Sequence, residues 1–192
     1  MLKTTALKAQ DVLVACKLYS LADVARPATD WTYASLSGEL SISTGEIHNA
    51  LERCRRAQLV VTVRDKEIVS KKHFCDLLVF AVPRIFYAVR GGVETGMPTG
   101  VHAPPLKGRF DHVLPEGVLP LVWAALKADR TETLVRGESI SPLYPSAPEA
   151  ASKDLLLYEV LALVDVVRVG DTRSRNAAVS ILEKKILGKV SV

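Results

Sequence analysis

Ser41 to Glu46 is the stretch that most narrows what this chain can become, because a tight turn and a helix start follow each other directly there. Ser41-Ile42-Ser43 has the length of the turn that joins two packed helices. In Ser43-Thr44-Gly45-Glu46 the serine oxygen can take the amide three residues on while the glutamate reaches back to the cap amide, so a helix should open here. Ile47, Ala50, Leu51 and Cys54 then recur at helical spacing, which leaves Thr44, His48, Asn49, Glu52, Arg53 and Arg56 pointing away from the core. Upstream, Trp31, Ala34, Leu36 and Leu40 mark a short helix, with Asp30 in the N-cap place and a break at Arg26-Pro27-Ala28-Thr29 before it. Lys8 to Leu21 carries Val12, Leu13, Cys16 and Tyr19, the stripe of an amphipathic helix.

Val60-Val61-Thr62-Val63-Arg64, the polar pair Asp65-Lys66 and Glu67-Ile68-Val69 read as a small β-hairpin with a charged tip. Helix, short turn, capped helix and hairpin are the parts of a winged helix-turn-helix, whose second helix enters the major groove of DNA. Trp31-Thr32-Tyr33-Ala34-Ser35-Leu36 resembles the opening of the helix-turn-helix in the MarR-like bacterial regulators, and Ile47 to Val60 is similar to their recognition helix leading into the wing. The resemblance spans about Leu7 to Val69, and the wing here is short, with Arg64 and Lys66 as its basic residues. It implies a transcriptional regulator that binds double-stranded DNA, as a homodimer on an inverted repeat.

Charge agrees with that expectation. Residues 1 to 90 carry 13 Lys+Arg against 9 Asp+Glu, and residues 91 to 192 carry 12 against 12, so the whole net charge of +4 sits in the first half. Between Ser43 and His73 the balance is 7 minus 4, or +3. Lysine and arginine that neutralise phosphates release counterions and supply sequence-independent affinity, whereas polar groups near a recognition helix start read base edges. Thr44, His48 and Asn49 are therefore the candidates for bases, and Arg53, Arg56, Arg64 and Lys66 for phosphates; Tyr33 and Ser43 belong to the same surface.

Ser70 to Val89 is largely apolar and long enough for a helix that Pro83 kinks or ends. Gly91 to Pro105 holds enough glycine and proline to read as a loop or extended segment lying over the surface. Gly91 to Gly100 invites comparison with a phosphate-cradling loop, but it lacks the closing Gly-Lys-Ser/Thr. Val118 to Ala125 and Thr133 to Ile140, separated by Leu126 to Glu132, fit strands or short helices, and Ser141 to Glu149 reads as extended with Pro142, Pro145 and Pro148. Asp154 caps a helix from Leu155 to Val169 that is greasy on nearly every side and so must be wrapped by protein. Gly170 closes it, and a last helix follows from Asp171 to about Leu187 with Ala177, Ala178, Ile181, Leu182 and Ile186 on one face. Leu143 to Ala150 before these two helices resembles small bacterial proteins that pair a MarR-like head with a C-terminal half of unknown role.

The expected fold is α+β, mainly α: a winged helix-turn-helix over residues 1–70, a connecting apolar helix over 71–90, and a mixed dimerisation or effector domain over 91–192 ending in two helices. No run approaches the roughly 18 apolar residues of a membrane span, and Cys16, Cys54 and Cys75 form no CxxC, which suits thiols packed in a core in a reducing cytoplasm. The histidines His48, His73, His102 and His112 match no zinc or hydrolase motif; His102, Asp111 and His112 read as solvated loop residues. No catalytic residue, metal or cofactor is expected. The open alternatives are a small-molecule effector in the second half, or a protein-interaction module of antitoxin type that docks a partner protein.

Overall fold

The computed structural model describes residues 6–22, 31–63, 66–111, 117–124 and 134–188. It is α+β and mainly helical, with two small sheets. Three helices open the chain, α1 (Ala9–Leu21), α2 (Tyr33–Leu40) and α3 (Thr44–Arg56), and an antiparallel hairpin follows, β1 (Val60–Val63) and β2 (Lys66–Val69). Asp30 and the 26–29 break lie outside the described residues; Thr32 caps α2 instead, trading hydrogen bonds with Ser35. Ser41 leaves α2 in the left-handed region at φ 52°, and Ser43 accepts the Glu46 amide at the start of α3. Lys66, expected in the turn, belongs to β2 opposite Val63, and positions 64–65 lie outside the described residues.

Helix α1 is a correction to its amphipathic stripe. Every residue from Gln10 to Leu18 is buried, because α1 lies between α3 and the helices of the C-terminal half. Its two charges are absorbed by partners far away in sequence: Asp11 by Arg53, and Lys17 by Asp154 at 2.7 Å and by Glu39.

After the hairpin come α4 (Lys71–Asp76), a π-helical turn over Leu77–Ala81 and α5 (Val82–Ile85). Pro83 neither ends nor simply kinks this run. The preceding turn widens, with the Val82 amide reaching Leu77, and the helix resumes with proline in its first turn, where its missing N–H costs least.

Of the two expectations for Gly91 to Thr99, loop or extended segment, the extended one holds. It forms most of β3 (Arg90–Thr99), the strand that pairs antiparallel with both β4 (Leu121–Ala124) and β5 (Val135–Ile140), while β4 and β5 pair in parallel, closing a three-stranded barrel. A barrel this narrow presses backbones together. A Cβ on Gly96 would collide with the Trp123 carbonyl, and one on Gly137 with the Pro120 carbonyl, so glycine here marks close approach within a sheet. Positions 112–116 and 125–133, which include His112 and the Leu126 to Glu132 stretch, lie outside the described residues.

Ala147–Lys153 is helical (α6), with Pro148 in its first turn, so the proline-spaced stretch starts a helix where an extended run was expected. Asp154 caps α7 (Leu155–Val169) by accepting the Leu156 and Leu157 amides, Gly170 ends it, and α8 (Thr172–Leu187) returns against it from the Asp171 cap. Helix α7 is wrapped by the chain itself, by α1, α5, α6, α8 and the turns after β3. One continuous core draws side chains from all three expected segments, and the Tyr19 hydroxyl donates to the Lys185 carbonyl across it. Cys16, Cys54 and Cys75 are all buried in that core as free thiols.

Candidate nucleic-acid interface

Helix α3 buries Ile47, Ala50, Leu51 and Cys54 against α1 and α2 and leaves Ser43, Thr44, His48, Asn49 and Arg56 exposed. Burial pushes the Cys54 thiol up to about 12, with the nearby Asp11 carboxylate adding to it, so it is a packing group and not a nucleophile. Around the exposed residues stands an aromatic rim: the Tyr33 ring lies 5.8 Å from His48 and meets Trp31 edge-on at 5.9 Å. The hairpin rises beside the helix with Lys66 exposed at its outer end. Tyr33, Ser43, Thr44, His48, Asn49, Arg56 and Lys66 thus share an exposed position, and Arg64 lies outside the described residues.

Arg53 does not share it. Its guanidinium turns inward and donates twice to Asp11, Nε to Oδ2 and Nη2 to Oδ1, both at 2.7 Å, in a site where Asp11 is fully buried. These hydrogen bonds, and then the carboxylate charge, hold the Arg53 proton more tightly than usual. Arg53 is a structural cation, so its expected phosphate role is corrected. The half of the capping pattern assigned to Glu46 is also altered: its carboxylate accepts the side-chain amides of Gln10 at 2.5 Å and Asn49 at 3.3 Å. Those two hydrogen bonds hold the Glu46 carboxyl below its ordinary range.

Arg55 was not legible as a functional residue. Although burial works against its charge, bonds to Tyr33, at 3.4 Å, and to Glu67 overcome that cost, and Glu52 adds a third partner. One side chain thereby ties α2, α3 and β2 together. Its partners lie 22 residues upstream and 12 downstream, and no local pattern announces such a clamp. The face is consequently less positive than its sequence suggests. Adding Asp11 to the Ser43–His73 balance lowers +3 to +2, and Arg55 is matched locally by Glu67.

His102 departs from the solvated reading as well. It is half-buried on the turn after β3, its Nδ1 has no hydrogen-bond partner among the described residues, and burial lowers its affinity for a proton. Among the described residues no three histidine, cysteine or acidic side chains gather as a metal site, and no helix is long and apolar enough to cross a membrane. No protein-family model, curated protein or solved structure proves similar to the chain.

Proposed function

We propose that this chain is a sequence-specific DNA-binding transcriptional regulator of the winged helix-turn-helix kind, acting in the cytoplasm as a homodimer on an inverted-repeat operator. The observation that carries the reading is the outward α3 surface: Thr44, His48 and Asn49 are exposed at the end that would enter a major groove. Arg56 and Lys66 flank them. Thr44, His48 and Asn49 read base edges, Arg56 and Lys66 bind phosphates, and Arg55 sets the angle between wing and helix. Two copies on one operator place their α3 helices about 34 Å apart, one duplex turn.

Fluorescence anisotropy with selected genomic fragments over a salt series tests this. The logarithm of the affinity should fall by roughly 0.9 per neutralised phosphate for each decade of salt. Arg56→Ala and Lys66→Ala should each weaken all sequences and reduce that slope by about 1, whereas Asn49→Ala should change which sequences are preferred. No binding at low salt would move the reading to a protein-interaction module. One feature favours that second reading: the outer face of the hairpin carries Val61, Val63 and Ile68, all more than a third exposed.

A further inference from the structure

Four of the five most exposed large apolar side chains among the described residues lie where the π turn and α5 run into β3. Phe80 is 58% exposed, Ile85 62%, Tyr87 68% and Val89 60%. Ile85 closes α5, and beyond it Tyr87 and Val89 alternate with Phe86 and Ala88, which pack on the core, so this stretch shows one face inward and one apolar face to water. This row is held rigidly. The buried Arg168 donates to the Phe86 carbonyl at 2.7 Å, and the Val89 amide donates to the Ser141 hydroxyl at 2.8 Å, so both ends are anchored. Surface that is already fixed in one shape loses little entropy when it is covered.

We infer that this row is the self-association surface of the chain, occupied by the same row of a second copy across a twofold axis. The claim deepens the homodimer part of the reading above and does not depend on DNA binding. The four side chains offer on the order of 450 Å² per copy, so a pair covers close to the roughly 1,000 Å² a specific interface needs before any flanking contact is counted. The row is also self-complementary, as a twofold interface requires. Antiparallel pairing centred on Tyr87 sets Ile85 against Val89 of the other copy. An uncharged row serves a copy of itself better than it serves a phosphate backbone.

Light scattering coupled to size exclusion, at tens of micromolar protein, should give a dimer for the wild-type chain and a monomer for Tyr87→Asp. The far-UV circular dichroism should be unchanged, because Tyr87 is exposed, and the melting temperature should lose the dependence on protein concentration that the dimer gives the wild type. As a second reading, Tyr87→Cys treated with a short bis-maleimide should yield a covalent dimer, since the native cysteines are buried. Leu155→Cys, equally exposed at the far end of α7, should not. A monomeric wild type, a dimer that survives Tyr87→Asp, or equal cross-linking at both positions overturns the inference. Salt-dependent DNA binding by a monomer would leave the regulator reading standing, and a Tyr87-dependent dimer that ignores DNA would sink that reading alone.

Discussion

Replacing Asp11 with alanine leaves the Arg53 guanidinium buried without its counter-charge, a loss of about 3 to 5 kcal/mol that urea denaturation would register. Arg53→Ala should fail in the same assay, while the salt slope of any DNA binding stays that of the wild type. The two measurements separate a structural cation from a phosphate-binding one. At this scale the sequence is a poor guide, because a charged residue's direction is set by whether a partner meets it. Arg53 and Arg56 are three positions apart on one helix, yet Asp11, 42 residues away from Arg53, draws only the former inside. His48 and Asn49 are correctly legible as outward, since no deeper element competes for them.

Among elements, α7 owes its start to Asp154, which caps it and also accepts from Lys17 and Ser20. Burial raises the Asp154 carboxyl, and the bonds from Lys17, Ser20 and the Leu157 amide more than offset it, so its proton affinity ends below the ordinary value of 3.8. A carboxyl depressed in the folded state contributes stability that is complete above that ordinary value and drains away as the pH falls through the folded-state value. Asp154→Asn should keep the cap but flatten the stability profile below pH 3.8, as read by thermal melts in an acid series. The barrel makes a different prediction: Gly96→Ala forces β3 away from the Trp123 carbonyl and should cost about 1 to 3 kcal/mol or more, measured by denaturant midpoint. The helices that open at Ser43, Asp154 and Asp171 were legible because period and caps are local signals, whereas α6 was hidden by its prolines. The pairing of strand β3 was not legible, because glycine and proline usually mark unpaired segments. Only the neighbouring backbone of Trp123 shows that Gly96 permits contact and does not grant freedom.

Across the whole molecule, the continuous core and the Tyr19–Lys185 and Lys17–Asp154 links bind the first helix to the last two. Tryptophan fluorescence and circular dichroism should therefore report one coincident unfolding transition, even though Trp31 and Trp123 lie in different halves of the chain. Two separated transitions would show that the halves fold independently. Among the described residues packing runs without a break from the barrel to α7, from α7 to α1 and from α1 to α3. The π turn at Leu77–Ala81 adds a geometric consequence. Such a turn carries one residue more than an α-helical path needs. Deleting a single residue there would restore the regular ladder and swing everything beyond it by about 100°. Phe86 would then lose its grip on Arg168, and Tyr87 would be left facing another direction.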